Sequence, residues 1–192
     1  AGNIKQQDVI SKLSFLNNIP NKKIELTKVE AKGIPVEKTV IYLVDVPRAA
    51  QTEFRIGYST GMLYDALGEY YRSDLMNFML GGTFSSHINM NLREDKGWTY
   101  GARTGFSGDK YTGAFTFSSG IRADATDSAL AEVMKELKLY AENGITPDEL
   151  SFTKSALTQR DALNYETTGQ KAGFISRILD RSEERRVGKE CL

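Results

Sequence analysis

The order of the predicted strands and helices is the feature that most constrains the fold of this chain. Strands are predicted at residues 39–45 and 51–58, helices at 70–80 and 84–96, strands at 99–107 and 112–119, and helices over 124–143 and from 147 toward 179. Strand pairs that alternate with helix pairs are typical of an antiparallel sheet with helices packed on one face. The sequence therefore predicts the α+β class.

The two strands of the first pair have different patterns. Residues 39–45 are rich in β-branched side chains and almost continuously apolar, which predicts a central strand covered on both faces. Residues 51–58 alternate, with Phe54 and Ile56 on one side and charged residues on the other, which predicts a strand with one buried face. The second pair is predicted to form a hairpin around the turn at residues 107–110.

The helices have clear start and stop signals. A loose helical pattern over residues 4–16 precedes Pro20. The strongest helix, 124–143, has an apolar stripe at three- and four-residue spacing, which consists of Leu130, Val133, Met134, Leu137 and Tyr140. Thr146 and Glu149 form a predicted capping box at the start of the next helix, with Pro147 as its first residue. Residues 167–169 are predicted to interrupt that helix.

Composition excludes several functions. The chain has 192 residues, a size that favours one domain, and its 25 Lys and Arg balance 25 Asp and Glu, so nothing in the total charge favours nucleic-acid binding. It has one His and one Cys, fewer than a structural or catalytic zinc site normally needs. Nucleophilic catalysis through a His would depend on His87 alone. We therefore expect no self-sufficient hydrolytic site.

The two ends of the sequence differ from its middle. The start lacks the basic and then apolar pattern of a signal peptide, and no stretch is long and apolar enough for a transmembrane helix. Residues 181–192 have no apolar periodicity and include the only Cys. We interpret them as a tail foreign to the protein; a solvated helix end is the alternative.

The most informative stretch runs from Leu80 to Gly105. Arg93 falls in the last turn of a predicted helix, Gly97 is a natural left-handed cap, and Tyr100 begins the next strand. A cation and a phenol are thereby predicted to meet at one helix–strand junction. From spacing alone, Arg93 also fits a surface cation at a helix C-terminus, and Tyr100 fits a strand aromatic packed on the sheet.

The residues of this stretch resemble the C-terminal, non-zinc domain of the M16 (pitrilysin/insulinase) metallopeptidases. The resemblance is in Gly81-Gly82-Thr83-Phe84-Ser85-Ser86 and in Asn91-Leu92-Arg93-Glu94-Asp95-Lys96-Gly97-Trp98-Thr99-Tyr100-Gly101. Residues 44–52 are similar to the family's preceding strand–turn–strand. The resemblance covers roughly residues 1–179 and is far more specific than a lone glycine motif.

The resemblance implies a place in a larger enzyme. Members are clamshells of two homologous halves, of which one binds zinc through His-x-x-Glu-His and the other closes the chamber. The non-zinc half contributes an Arg and a Tyr in trans, and Arg93 and Tyr100 match them in type and spacing. Tyr100 would stabilise the oxyanion, and Arg93 would hold a substrate carbonyl. Residues 1–180 would then be a fragment of this inactive half that is inactive alone.

The sequence departs from the family pattern in informative ways. It has no His-x-x-Glu-His motif, so zinc is expected in a partner half, on the same polypeptide or a separate subunit. His87 stands where many members have Arg, and we interpret it as a surface or interface residue. Peptides are the expected substrates, and the bacterial periplasm is the favoured location. The alternative function is a non-proteolytic core subunit, which would need neither Arg93 nor Tyr100.

Overall fold

The computed structural model of the chain describes residues 3–20 and 37–181. These residues divide into two compact units, one within residues 37–155 and the other made of residues 3–20 and 156–181. None of the helices in the described ranges combines the length and apolar character that a membrane crossing requires.

The larger unit contains an antiparallel sheet of three strands. The strands are β1 (Gln51–Ser59), β2 (Thr99–Gly108) and β3 (Gly113–Arg122), and β3 lies in the middle, in the order β1-β3-β2. Alternate residues of β3, among them Phe117 and Ile121, are buried on one face of the sheet. The hairpin between β2 and β3 and the one-sided pattern of β1 are confirmed.

Both units contain helices. They are α1 (Gln6–Lys12), α2 (Glu69–Asn77), α3 (His87–Asn89), α4 (Thr126–Asn143), α5 (Pro147–Leu163) and α6 (Thr168–Arg181). Short 3-10 turns cover Ser14–Asn18 and Ala123–Ala125, and wider π turns cover Phe78–Gly82 and Met90–Asp95. The predicted capping box is confirmed, since the Thr146 amide donates to Glu149 at 2.9 Å and the Glu149 amide donates to Thr146 Oγ1 at 3.3 Å.

The core of the larger unit lies between one face of the sheet and its helices. The apolar side chains that are at most 1% exposed are Ile88, Leu92, Ala102, Phe117, Ile121, Ala129 and Val133. They come from α3 and the π turn after it, from β2 and β3, and from α4. The rings of Phe54 and Phe117 meet edge to face at 5.6 Å across β1 and β3. This arrangement confirms the α+β class with helices against the sheet.

The predicted strand at residues 39–45 is wrong. These residues have no regular secondary structure, and the side chains of Tyr42, Leu43 and Val44 are 87%, 90% and 86% exposed. A continuous apolar run forms a strand when both of its faces are covered. At this exposure, nothing in the described part of the chain covers the segment.

Two helix predictions need correction in detail. The helix expected over 84–96 begins only at His87, because residues 83–86 form a turn, and it continues into a π turn. On α4, Leu130 and Met134 belong to the predicted apolar stripe but are 37% and 51% exposed. Ala129 takes part in the buried face instead, beside Val133 and Tyr140. The buried face of α4 therefore includes a small residue that the predicted stripe left out.

The smaller unit is helical. It contains α1, the 3-10 turn after it, the C-terminal part of α5 and all of α6. The predicted interruption is confirmed, because α5 ends at Leu163 and α6 begins at Thr168. The Thr167 amide donates to Gln170 Oε1 at 2.8 Å, which caps α6 in the manner of a capping box. Of the predicted tail at residues 181–192, Arg181 is the last residue of α6, and residues 182–192 lie outside the described residues.

Candidate functional site

A sharp reversal joins the π turn Met90–Asp95 to β2. Gly97 has a φ of 63°, the left-handed conformation that the sequence predicts for it. The Trp98 amide donates to the Leu92 carbonyl at 3.0 Å, and the Arg122 amide of β3 donates to the Trp98 carbonyl at 2.9 Å. Hydrogen bonds therefore fix the junction to both the helix end and the sheet.

Tyr100 lies in a β-bulge immediately after this junction. Thr99 pairs with Ile121 of β3 and Ala102 pairs with Ser119, so β2 has one residue more than β3 between these two pairs. A bulge of this kind bends the strand and redirects its side chains. The Tyr100 side chain is 88% exposed, whereas Thr99 and Ala102 on either side of the bulge are buried. Tyr100 is thus a presented phenol, not an aromatic packed on the sheet.

Arg93 lies on the π turn, held against an aromatic ring. The carbon at the centre of its guanidinium is 4.3 Å from the centroid of the Phe84 ring, a cation–π contact. Its Nε is also 3.4 Å from Glu94 Oε1. The side chain remains 35% exposed, so it is restrained but accessible. Among the residues that the structure describes, no hydrogen bond joins Arg93 to Tyr100.

His87 belongs to a polar cluster at the N-terminus of α5. Its Nε2 is 2.5 Å from Glu149 Oε1, and its ring meets the Tyr140 ring edge to face at 5.3 Å. Burial, aided by the charge of Glu149, raises the pKa of the Tyr140 phenol to about 12. Desolvation raises the pKa of Glu149, but hydrogen bonds from Thr146 and His87 outweigh it and hold that pKa below its ordinary value.

The structure offers no metal centre in its described residues. No group of three or more His, Cys, Asp or Glu side chains there is arranged to hold a metal ion. His87 is occupied by its contact with Glu149. The described residues therefore do not fit a zinc site, and the chemistry that Tyr100 and Arg93 offer is that of a hydrogen-bond donor and a cation.

Sequence reasoning assigned no role to two residues that shape the site. Phe84 carries the ring on which Arg93 stacks, and the buried Asn89 bonds to backbone on both sides of the site. The signal for Asn89 was present, since Asn is a weak helix former and competes with the backbone for hydrogen bonds, so at a helix position it suggests such a role. No comparable signal exists for Phe84, because its ring meets Arg93 only through the conformation of the turn at residues 83–86.

The fold and the site together define an α+β domain that presents an exposed phenol and a restrained guanidinium. The family model described as "Peptidase M16 inactive domain" matches residues 1–157. The chain therefore belongs to the M16 family of zinc proteases and represents its inactive domain.

Two curated relatives are zinc proteases by name. The chain is 29% identical over 97 residues to the uncharacterized zinc protease YmxG of Bacillus subtilis, which covers 50% of this chain and 24% of that protein. It is 32% identical over 95 residues to the uncharacterized zinc protease SCO5738 of Streptomyces coelicolor, covering 50% of this chain and 21% of that protein. The matches thus span about a quarter or less of these relatives.

Solved structures have the same fold over most of the chain. The peptidase M16 inactive domain from Pseudomonas fluorescens has a TM-score of 0.73 at 23% identity, over 92% of this chain and 41% of that one. A protease from Helicobacter pylori has a TM-score of 0.75 at 17% identity, over 97% of this chain and 45% of that one. The chain spans less than half of either protein.

Proposed function

We propose that this domain is the substrate-binding, chamber-closing part of the non-zinc half of an M16 endopeptidase. The observation that carries the proposal is the Tyr100 side chain, 88% exposed at a bulge whose neighbouring residues are buried. A tyrosine combines an apolar ring with a polar hydroxyl, which suits it to contacts with a partner outside its own domain. A phenol presented in this way is suited to act on a substrate held by another part of the protein.

Tyr100 would act as a hydrogen-bond donor. When a peptide carbonyl is attacked, negative charge develops on its oxygen, and a preorganised donor stabilises that charge more than it stabilises the ground state. The bulge fixes the Tyr100 backbone before substrate binds, so little reorganisation is needed. One such donor contributes about 3 kcal/mol to the reaction in enzymes where it has been measured.

Arg93 would position the peptide. A guanidinium offers several N–H donors in one plane, and it can stack on an aromatic ring while those donors remain available at its edge. The contact with Phe84 leaves the Arg93 side chain 35% exposed. It would therefore bind a substrate carbonyl near the scissile bond and align it for attack.

The metal would come from the partner half, on the same polypeptide or a separate subunit. Zinc bound there would supply an activated water as the nucleophile. Accordingly, we expect the isolated chain to bind no stoichiometric zinc and to cleave no peptide. Metal analysis of the purified chain tests this, and one tightly bound zinc per chain would contradict the assignment. A periplasmic location stays a prediction.

The decisive experiment is Tyr100→Phe in the complete protein, including the zinc half. Removing the hydroxyl alone should lower kcat by about 10²–10³-fold, because the oxyanion loses one donor. Tyr111→Phe is the matched control, since Tyr111 is another exposed tyrosine of the same hairpin at 47% exposure. Normal turnover of Tyr100→Phe would remove Tyr100 from the site, whereas a complete wild-type protein that cleaves no peptide would favour the non-proteolytic core subunit.

A further inference from the structure

Both ends of the candidate site depend on one buried side chain, Asn89. It lies in α3 and is 4% exposed. Its Nδ2 donates to the Phe84 carbonyl at 2.7 Å, and its Oδ1 accepts from the Ala102 amide at 2.9 Å. The first bond holds the residue whose ring stacks on Arg93, and the second holds the far end of the bulge that contains Tyr100.

The bulge explains why a side chain is needed there. Tyr100 and Gly101 of β2 stand opposite the single residue Gly120 of β3, so the regular ladder is interrupted. A buried amide without a partner costs about 1–3 kcal/mol. Asn89 accepts from the Ala102 amide at 2.9 Å, where the regular pairing resumes. The backbone at the bulge therefore hydrogen-bonds to a side chain of α3 as well as to its own sheet.

The rest of the bulge is bonded by two buried hydroxyls. The Gly101 amide donates to Thr99 Oγ1 at 3.0 Å, and Ser119 Oγ donates to the Gly101 carbonyl at 3.0 Å. The two hydroxyl oxygens are 2.8 Å apart. These contacts fix the bulge locally, but both residues belong to the sheet. Asn89 alone among these groups also reaches the segment that carries Phe84.

We infer that Asn89 is a positioning residue that fixes the Tyr100 phenol and the Arg93 guanidinium relative to each other. It acts on Tyr100 through the Ala102 amide and on Arg93 through the Phe84 carbonyl. This inference rests on the proposed function for its catalytic consequence. Its structural part, that Asn89 holds the bulge, stands independently.

The structural part is tested by amide hydrogen exchange on the chain with three variants. Asn89→Ala removes both bonds and should speed exchange at Ala102 by about 2–10-fold, the equivalent of one net hydrogen bond. Asn89→Asp keeps the size and the acceptor for the Ala102 amide but loses the donor to the Phe84 carbonyl, so Ala102 should stay better protected than in Asn89→Ala. Asn77→Ala is the matched control: Asn77 is 3% exposed and also makes two hydrogen bonds to β2, at Thr104, far along the strand from the bulge.

The catalytic part is tested in the complete protein. Asn89→Ala should lower kcat by about 10–10²-fold with a smaller change in KM, because the donor is misplaced. In Asn89→Ala/Tyr100→Phe, the combined loss should be smaller than the product of the two single losses, since part of the effect of Asn89 acts through the Tyr100 hydroxyl and the rest through Arg93. Asn77→Ala should lower stability but leave kcat unchanged.

The outcomes separate the two claims. Unchanged exchange at Ala102 in Asn89→Ala would overturn the inference whatever the activity. Losses that add fully in the double variant would also overturn it, because Asn89 would then act elsewhere. If Tyr100→Phe has normal turnover while Ala102 exchanges faster in Asn89→Ala, the proposed function fails and the structural role of Asn89 remains.

Discussion

The π turn Phe78–Gly82 approaches β2 so closely that Gly81 has no room for a side chain. A Cβ on Gly81 would lie 2.2 Å from Thr104 Oγ1 and 2.6 Å from the Thr104 backbone nitrogen. The hydroxyl could rotate away, but the backbone nitrogen could not. Gly81→Ala must therefore push the turn away from β2. Two hydrogen bonds of 2.7 and 3.0 Å between Asn77 and Thr104 join the two elements at this point and would be strained.

The expected cost follows from these contacts. An extra methyl group in a closely packed contact costs about 1–3 kcal/mol, and weakening one buried hydrogen bond adds about 0.5–1.5 kcal/mol. The lower entropy of the unfolded Ala variant returns only about 0.4–1 kcal/mol. We therefore expect Gly81→Ala to lower the free energy of unfolding by about 0.5–4 kcal/mol.

Chemical denaturation followed by tryptophan fluorescence measures this change. Trp98 is the only Trp of the chain, and it packs against the core of the same unit. Gly105→Ala is the matched control, because a Cβ at Gly105 of β2 would meet nothing within 4 Å. That variant should be as stable as the wild type or slightly more stable. Equal stability of the Gly81→Ala and Gly105→Ala variants would refute the close approach.

The other predictions concern the core and the polar cluster. Phe117→Ala should lower the free energy of unfolding by about 3–5 kcal/mol, because the ring is fully buried against Phe54. Phe117→Leu should lower it less, and the denaturant midpoints of both variants measure the change. Desolvation raises the pKa of Glu149, but hydrogen bonds from Thr146 and His87 hold that pKa below 4.5 in the folded state. The contribution of Glu149 to stability is therefore present above about pH 4.5, and it is lost as the pH falls through the lower pKa of the folded state. Wild-type stability should therefore fall more steeply than that of Glu149→Gln under acid, as pH-dependent denaturation measures; parallel curves would contradict this.

Local signals in the sequence were sufficient for much of the fold. The reversal at Gly97, the capping box at Thr146 and the β2–β3 hairpin each depend on residues close together in the chain, so spacing and residue type predicted them. The one-sided pattern of β1 likewise reflects a single buried face. For the candidate site, Arg93 and Tyr100 were predicted from the motif, and the structure places them on either side of the reversal at Gly97.

The remainder depends on contacts between distant residues. The apolar run at 39–45 has the composition of a buried strand, but its side chains are exposed. Whether such a run is buried depends on which other elements pack against it, and the run itself does not encode that. The π turns and the bulge insert residues into regular elements, and periodicity assumes that none are inserted. The sequence motif therefore identified Tyr100 as a candidate residue, but it could not predict the bulge that turns the side chain outward.

The departures from regular structure coincide with the candidate site. A π turn carries Arg93, a left-handed glycine reverses the chain, and a bulge presents Tyr100. The Phe84 ring restrains the Arg93 side chain, the backbone hydrogen bonds of Trp98 fix the reversal, and the Asn89 amide bonds to the end of the bulge. π turns and bulges are frequent at functional sites. A domain that served only as a core subunit would gain nothing from arranging these partners around two exposed polar groups, and this favours the peptidase function over the core-subunit alternative.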